Sequence, residues 1–394
     1  MDVIAVSLVL LPVATLLYSY AAYPAILWLL ARLKPRPLWS DGSQLTLPTV
    51  TVVLPAYNEE RQIAGAIDAL LAQDYPANRL QILVVSDAST DETDTIVRQY
   101  ASRGVELLRM AARGGKTAAE NAACRILRGE IVVNSDASIR LHRLAIRRLV
   151  DCMADPSVGV ASGRDVSISV GAAAANATEA GYVGYEMWLR ALETKVSGIV
   201  GASGSCYAIR ADLHRIPIRR DLSRDFSAAL TARLRQYRAV SVDGALCYVP
   251  RTPSLKREYW RKVRTIARGM ETLYQNRQLL DLTRFGLFAW MLFSHKVCRW
   301  LVPWTALLGG VGLTLLAPTH RWAAVLVVGA LMLLAVAVAG ARWPAARPIP
   351  RPISLVSFGV AANVAVIHAL LRTLWGREDH IWEPTRREGA PATS

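Results

Sequence analysis

The feature that most restricts the fold is a set of long apolar stretches that carry no charged residue. The first covers residues 3–31, and three more cover residues 300–319, 322–341 and 352–371. Each has about 20 residues or more, enough for a helix to cross the roughly 30 Å hydrocarbon core of a bilayer. A cleaved signal peptide does not fit the first stretch, which is too long and lacks a small-residue cleavage site. We therefore predict a protein that is built into a lipid bilayer.

Charges at the ends of these stretches predict their orientation. Arg32, Lys34 and Arg36 directly follow the first stretch, whereas Asp2 is the one charge before it. Because cytoplasmic loops carry an excess of Lys and Arg, we expect the chain after residue 31 to lie in the cytoplasm and the protein in the cytoplasmic (inner) membrane. If all four stretches cross, the last four arginines and four acids lie outside. The last stretch is therefore open to a second interpretation, as a re-entrant or interfacial helix.

The short apolar run at 285–293 lies between Arg284 and Lys296 and is too short to span a bilayer. We expect it to lie in the membrane interface, and the alternative is a helix buried in the soluble domain. The predicted parts of the chain are an N-terminal transmembrane helix (1–35), a cytoplasmic domain (45–280), an interfacial helix (281–298), C-terminal transmembrane helices (299–375) and a polar tail (376–394).

The soluble middle alternates apolar β-branched runs with helical patterns, which predicts a mostly parallel α/β sheet. Ligands in such sheets bind at the carboxyl ends of the strands. Polar residues follow three of the predicted strands, with Glu59 after the first, Asp87 after the second and Asp136 after the fourth. We expect these carboxylates to face one crevice together with Lys116. The predicted strands are 49–54, 82–85, 105–108 and 131–133, and the predicted helices are 59–73 (with Asn58 as N-cap), 91–100, 116–127 and 225–238.

Several classes of protein are disfavoured. No G-x-G-x-x-G motif follows the first strand, and Met110 stands where a phosphate-binding P-loop ending at Lys116 requires glycine. The net charge of +15 is concentrated beside the apolar stretches and at 256–268, without the interleaved aromatic residues of a nucleic-acid binder, so we expect no nucleic-acid partner. The apolar stretches show no internal repeat, which argues against a transporter.

A series of motifs resembles that of inverting family 2 glycosyltransferases, whose catalytic domain has a Rossmann-like GT-A fold. The donor half of the resemblance lies at 52–60 (VVLPAYNEE), 86–91 (SDASTD), 114–116 (GGK) with Asn121, and 134–138 (NSDAS). The acceptor half lies at 201–210 (GASGSCYAIR), 223–226 (SRDF), 261–269 (RKVRTIARG) and 382–386 (WEPTR). The motifs follow one another in the family's order along almost the whole chain.

This resemblance implies a role for each matching residue. Asp225 would be the catalytic base, and an Mg²⁺ or Mn²⁺ ion would be held by Asp136 and weakly by Ser138. Acceptor contacts would come from Gly204, Ser205 and Arg224. The residues implied for binding a nucleotide sugar, of the UDP type, are Pro55, Tyr57, Glu59, Asp87, Lys116, Asp136, Arg261 and Arg264.

Four positions depart from the family pattern, one of them being Arg261, which stands for the glutamine that begins the arginine motif of processive members. Ser138 replaces the second acid of the metal motif D-x-D, and a hydroxyl is a poorer ligand for these ions than a carboxylate. Arg224 replaces the usual acid before the base, where it would lower the pKa of Asp225 or contact a phosphate on the acceptor. Thr265 replaces the tryptophan that flanks the growing polymer in processive members, which argues for few transfers per acceptor.

The sequence therefore predicts a membrane glycosyltransferase of polysaccharide, glycolipid or cell-envelope biosynthesis. It would transfer a sugar from a nucleotide sugar to a lipid-linked or saccharide acceptor presented at the lipid bilayer. Two alternatives stay open. One is a processive polysaccharide synthase, and the other is a catalytically weakened subunit that binds nucleotide or supports a membrane assembly.

Overall fold

The structure is a computed structural model that describes residues 2–36, 47–168, 174–250, 255–344 and 349–375. The polar tail at 376–394, including the motif at 382–386, lies outside the described residues. Within them, one eight-stranded sheet runs in the order β3-β2-β1-β4-β7-β6-β8-β5. The strands are β1 Val50–Ala56, β2 Leu80–Ser86, β3 Val105–Arg109, β4 Ile131–Ser135, β5 Arg140–Leu141, β6 Val158–Ile168, β7 Cys206–Arg210 and β8 Arg238–Pro250.

The first four strands of this order are parallel, as the alternating pattern predicts. Strand β7 is antiparallel to both β4 and β6, and β6 is parallel to β8, so the sheet as a whole is mixed but mostly parallel. All seven residues of β1 are buried, because helices cover both faces of a parallel sheet. This arrangement is GT-A-like, which confirms the predicted fold class.

The helices of the sheet domain are α3 Ile63–Leu71, α4 Thr93–Gln99, α5 Lys116–Ala123, α6 Ala145–Cys152, α7 Ala174–Val196, α8 Ala211–His214, α9 Arg224–Leu234 and α10 Leu255–Gln275. The remaining helices are α1 Asp2–Leu17, α2 Tyr23–Leu33, α11 Leu282–Phe285, α12 Leu287–Leu292, α13 Arg299–Leu316, α14 Arg321–Ala341 and α15 Arg351–Leu374. A π-helical turn at Tyr18–Ala22 joins α1 to α2, and another at Phe293–Cys298 joins α12 to α13.

The predicted N-cap of the first domain helix is wrong. Helix α3 begins at Ile63, four residues later than expected, and its N-cap position is Gln62. Asn58 instead adopts a positive φ of 53°, which Asn tolerates better than most residues. Its side-chain oxygen accepts a hydrogen bond from the backbone N–H of Thr90 at 2.8 Å, so it joins two loops at the edge of the sheet.

Four helical segments are long and apolar enough to cross a membrane: Asp2–Leu33, Leu287–Leu316, Arg321–Ala341 and Arg351–Leu374. The first and second of these pack closely along α1 and α13. Added Cβ atoms at Gly309 and Gly312 would lie 2.6 Å from Pro12 and from the backbone oxygen of Ala5. Small residues at such crossings allow the close approach on which helix packing in lipid depends.

The expected separation of the 285–293 run from the next apolar stretch is wrong. The chain from Leu287 to Leu316 is one helical segment, because a π-turn rather than a break joins α12 to α13. Phe288, Met291 and Leu292 are buried against Leu189 of α7 and Leu230 of α9. This packing corresponds to the alternative interpretation, a helix buried against the soluble domain.

Candidate active site

The loops that follow the parallel strands meet at one edge of the sheet. The backbone N–H of Asp87, after β2, donates to the carbonyl oxygen of Ala56 at the end of β1 (2.8 Å). The backbone N–H of Asp136, after β4, donates to the carbonyl oxygen of Ser205 just before β7 (3.4 Å). The structure therefore brings together the strand ends where the sequence predicts a crevice.

Asp87 holds the loop that carries Lys116. Its carboxylate is almost fully buried and accepts hydrogen bonds from the backbone N–H groups of Gly114 (2.7 Å) and Gly115 (2.8 Å). This loop leads directly into α5, whose first residue is Lys116. The observed contacts of Asp87 thus position Lys116, and its expected direct bond to a nucleotide stays a prediction.

Lys116 and Asp136 form an ion pair at the strand ends. The Lys116 Nζ lies 2.5 Å from Asp136 Oδ1 and donates to the carbonyl oxygen of Gly204 at 3.0 Å. Burial acts to lower the pKa of Lys116, but Asp136 and Glu120 outweigh it and hold this pKa above its usual value. The ammonium group is therefore charged at neutral pH. Both side chains of the pair are partly exposed, so an anion entering the crevice can reach the lysine.

Three further residues expected to bind the donor lie at or behind the wall of this crevice. Pro55 is buried inside β1, and Glu59 is buried with its backbone N–H bonded to the Thr93 hydroxyl at 2.8 Å. Both residues form part of the wall in this structure, and their direct contacts with a donor stay a prediction. Tyr57 is partly exposed, and the Arg113 guanidinium lies 3.8 Å from its ring centroid.

Asp225 lies in the first turn of α9, close to the Lys116–Asp136 pair. The Ser223 hydroxyl donates to Asp225 Oδ1, and this contact fixes the carboxylate. The other oxygen faces Gly204, where an added Cβ would lie only 2.9 Å from Asp225 Oδ2. Gly204 therefore lies between Lys116 and Asp225. Its carbonyl oxygen contacts Lys116, and its Cα faces the carboxylate of Asp225.

A cavity of about 370 Å³ opens on the other side of Asp225. Ser223, Asp225 and Phe226 line it from α9 and its N-cap, and Gly201 and Ala202 line it from the loop before β7. Lys116, Asp87 and Asp136 are not among its lining residues. Its remaining walls come from the π-turn after α1 and from α7, α10, α13, α15 and the π-turn before α13. Asp225 thus lies between the strand-end crevice and a cavity bordered by candidate membrane helices.

The residues expected from the acceptor and arginine motifs divide between these two spaces. Gly204 and Ser205 lie beside Lys116 and Asp136, while the preceding Gly201 and Ala202 face the cavity. On α10, the cavity is lined by Arg261 and Thr265 but not by Arg264. The Arg261 guanidinium makes two bonds, of 2.8 and 2.6 Å, to the Glu258 carboxylate.

The expected acceptor contact of Arg224 does not fit its position. Arg224 is buried behind α9, where its guanidinium donates to Asn121 Oδ1 and to the carbonyl oxygen of His214 (2.8 Å). Its Nε lies 3.4 Å from Glu120 Oε2. The arginine is bound into this network and does not line the cavity. Its role is to anchor the start of α9, the helix that carries Asp225.

His214 belongs to the same buried network. Its Nε2 lies 3.1 Å from Asn134 Oδ1, and its Nδ1 lies 3.3 Å from an Arg224 nitrogen. Burial and the positive charges of Arg224 and Arg215 hold the pKa of His214 well below its usual value. The ring is therefore neutral, with Nδ1 accepting from Arg224 and Nε2–H donating to Asn134.

The side chains at the expected metal motif do not form a metal site by themselves. Across the described ranges, no group of three or more His, Cys, Asp or Glu residues is close enough to hold an ion. Asp136 is paired with Lys116, and Ser138 offers a single, largely buried hydroxyl. One carboxylate and one hydroxyl supply two of the six oxygen ligands that Mg²⁺ or Mn²⁺ prefers, so water or a bound phosphate would have to supply the others.

Sequence reasoning missed a polar cluster at the cavity wall. Glu186 and Glu193 of α7 bind the two ring nitrogens of His295, with N–O distances of 2.9 and 2.6 Å. Glu186 also pairs with Arg299 at 2.9 Å. The available signal is the run of basic residues inside an otherwise apolar helix, because charged groups at such positions are rare and functional.

A larger cavity, of about 560 Å³, lies at the opposite end of the strands. It is lined by the first residues of β1, β2 and β3, including Val50, Leu80 and Val105. Ligands of parallel sheets bind at the carboxyl ends, and none of the expected site residues lines this space. We therefore assign the candidate site to the Asp225 side in spite of its smaller cavity.

Residues 51–215 match the family described as glycosyl transferase family 2. An N-acetylglucosaminyltransferase of Bradyrhizobium elkanii is 34% identical over 139 residues, which are 34% of this chain and 76% of that protein. A beta-monoglucosyldiacylglycerol synthase of Synechocystis is 33% identical over 129 residues, which are 32% of this chain and only 27% of that protein.

One solved structure extends the fold likeness over nearly the whole chain. The mannosyltransferase PcManGT from Pyrobaculum calidifontis, solved with GDP-Man and Mn²⁺, has a TM-score of 0.71 and 24% sequence identity. The superposition covers 94% of this chain and 100% of that one. With the sheet order and the Bradyrhizobium relative, these matches show that the chain belongs to glycosyl transferase family 2.

Proposed function

We propose that the protein is a membrane glycosyltransferase that moves a sugar, with inversion, from a nucleotide sugar to an acceptor presented at the bilayer. The observation that carries this proposal is the position of Asp225. Gly204 lies between Asp225 and the Lys116–Asp136 pair on one side, and Asp225 lines a cavity on the other. A base between a donor crevice and an acceptor cavity is the arrangement that single displacement requires.

The donor would lie in the strand-end crevice, with its diphosphate near Lys116. A nucleoside diphosphate gains negative charge as it leaves, and a fixed ammonium group stabilises that charge more in the transition state than in the bound donor. The pKa of Lys116, which is higher than usual, keeps this group charged throughout the neutral range. UDP is the nucleotide that the motif resemblance favours.

Asp225 would accept the proton of the acceptor hydroxyl. The hydroxyl oxygen forms its bond to the anomeric carbon while the bond from that carbon to the diphosphate oxygen breaks. The proton moves to Asp225, and the diphosphate leaves with the bonding electrons. The Ser223 hydroxyl donates to Oδ1 and holds the carboxylate in the position from which it would accept this proton. A positioned base of this kind contributes about 10²–10⁴ in rate.

A divalent ion would enter with the donor. Because the protein side chains do not form a metal site, we propose that Mg²⁺ or Mn²⁺ binds the diphosphate and that Asp136 is its protein carboxylate, with Ser138 as a weak ligand. The ion would offset diphosphate charge when bound. Lys116 supplies positive charge at the same place. We therefore expect transfer to depend less on the ion than in an enzyme that has both acids of the metal motif.

The walls of the cavity support an acceptor held in the membrane. Candidate membrane helices supply Tyr20, Trp300 and Phe358 to its lining. The Synechocystis relative is named as the synthase of a glucosylated diacylglycerol, which fits a lipid acceptor here. We further propose that this membrane is the cytoplasmic membrane and that the sheet domain lies in the cytoplasm, as the charges after α2 favour.

The proposal is tested with purified full-length protein, a panel of nucleotide sugars and membrane lipid extract as acceptor. We expect nucleotide release and a glycosylated lipid with one donor, and Asp225→Asn should lower transfer by about 10²–10⁴ while UDP binding stays intact. Asp212→Asn, an exposed acid on α8, is the matched control. A long polymer product would favour the processive synthase, and unchanged transfer by Asp225→Asn would overturn the assignment of the base.

A further inference from the structure

The cavity beside Asp225 has a strongly cationic wall. Arg190 of α7, Lys296 of the π-turn and Arg299 of α13 all line it, and the one carboxylate on that wall is Glu186. The Lys296 ammonium lies within electrostatic range of the other three side chains. Three basic side chains therefore meet the carboxylates of Glu186 and Asp225 in this partly buried cavity, and Glu193 lies behind His295.

Several N–H groups on this wall have no acceptor. In the described part of the chain, Arg190 Nε and Nη1 and Arg299 Nε and Nη2 are buried without a hydrogen-bond partner. The distance from Arg190 Nε to Glu186 Oε1 is 3.7 Å, too long for a hydrogen bond. Buried donors of this kind are normally satisfied, and leaving them unpaired is costly. An anion in the cavity would compensate the positive charge of the two arginines that carry these unpaired donors.

Lys296 lies beside the helix that carries Asp225. Its Nζ lies 5.3 Å from the ring centroid of Phe226, the residue after Asp225, and no described carboxylate forms an ion pair with it. An added Cβ at Gly201 would lie 3.8 Å from this Nζ, so the glycine leaves the ammonium open to the cavity.

We propose that this wall, with Lys296 as its central cation, binds a phosphate group of the acceptor. The proposal rests on the proposed function and names the chemistry of its acceptor, a hydroxyl compound that carries a phosphate. The phosphate itself does not react. Its oxygen atoms are already ionised near neutral pH and would need no base, whereas Asp225 provides one for a hydroxyl. The membrane helices around the cavity favour a phospholipid headgroup as the source.

The test measures binding to the full-length protein in neutral detergent by titration calorimetry. The probes are dihexanoyl phosphatidic acid, dihexanoylglycerol and glycerol 3-phosphate. We expect Lys296→Met to weaken phosphatidic acid binding by about 10- to 100-fold, the scale for losing a charge-assisted hydrogen bond. Lys296→Arg should retain binding. Lys195→Met removes an exposed lysine of α7 outside the cavity and should change nothing.

The remaining outcomes decide the proposal and its source of phosphate. Glycerol 3-phosphate that binds as tightly as the lipid supports the phosphate site and assigns it to a soluble acceptor. Equal binding of dihexanoylglycerol and phosphatidic acid overturns the proposal, as does an unaltered affinity in Lys296→Met. UDP binding, measured in the same samples, reports the donor crevice separately. If the unmodified protein does not bind UDP, that result counts against the proposed function and not against the phosphate site.

Discussion

At the scale of single residues, Asp87 has two alternative roles that can be separated. It either contacts the nucleotide directly or acts through the loop at Gly114 and Gly115 that carries Lys116. In Asp87→Asn, an NH₂ group replaces one of the two oxygens that accept hydrogen bonds from Gly114 and Gly115. One of these hydrogen bonds is lost, and the loop that carries Lys116 should become less ordered. We expect Asp87→Asn and Lys116→Met each to weaken UDP binding by about 10- to 100-fold.

The double variant distinguishes the two roles. If Asp87 acts by positioning Lys116, the loss in the double variant should be close to that of Lys116→Met alone, because residues of one network are not additive. A fully additive loss in the titration of UDP would instead indicate a direct bond from Asp87 to the nucleotide. Asp68→Asn, an exposed acid on α3, serves as the control for removing one charge.

The single carboxylate at Asp136 predicts how a divalent ion binds. Without nucleotide, Mn²⁺ should bind weakly, since Asp136 is paired with Lys116 and Ser138 adds a hydroxyl where a second carboxylate is expected. With UDP present, the diphosphate supplies the missing oxygen ligands, and affinity for Mn²⁺ should rise by at least about tenfold. Electron paramagnetic resonance of free Mn²⁺ measures both states. Tight Mn²⁺ binding to the nucleotide-free protein, insensitive to Asp136→Asn, would place the ion elsewhere.

At the scale of elements, the start of α9 depends on a neutral histidine. His214 is buried between Arg224 and Asn134, and its pKa lies well below that of an unfolded chain. The unfolded state therefore binds more protons below about pH 6.5, so stability is present above that pH and is lost as the pH falls. We expect His214 to make the free energy of unfolding fall by up to about 1.4 kcal/mol for each pH unit below that value.

His214→Asn isolates this contribution. The amide keeps a donor and an acceptor for the network but does not titrate. The free energy of unfolding, measured by denaturant titration between pH 7.5 and pH 5, should therefore fall less steeply in the variant. Arg215 and the Cys124 thiol, 3.5 Å from His214 Nδ1, are unchanged by it. Parallel slopes in the two proteins would show that His214 takes up no proton on unfolding.

The sequence predicts elements better than their ends and partners. The four parallel strands follow from β-branched runs that are buried on both faces, a pattern that is local. The helix at Ile63 starts late because Asn58 bonds to Thr90, a contact 32 residues away along the chain. Likewise, Arg224 directly precedes Asp225 but faces Glu120, since a helix turns successive side chains by about 100°. The local pattern of apolar and polar residues does not predict contacts between residues that are this far apart in the sequence.

At the scale of the whole molecule, α15 has a packing partner that bears on its place in the membrane. Its first turns lie against the end of α14, where Ile353 and Ser357 contact Gly340. Its second half packs against α10 of the sheet domain, with Ala365 and Ala369 beside Val263. His368 Nδ1 also lies 2.9 Å from the Tyr259 hydroxyl. A helix that leaves α14 and follows the sheet domain does not need to recross the bilayer.

We therefore predict that α15 lies at the cytoplasmic interface and that the C-terminus is cytoplasmic. The prediction also agrees with the charge rule, because the arginines that follow α15 then lie inside. Alkaline phosphatase fused after Ser394 should be inactive, whereas a fusion in the turn between α13 and α14, after Thr319, should be active. A green fluorescent protein fused after Ser394 should fluoresce. An active phosphatase after Ser394 would require α15 to cross the bilayer, and its contacts with α10 would then have to differ from those seen here.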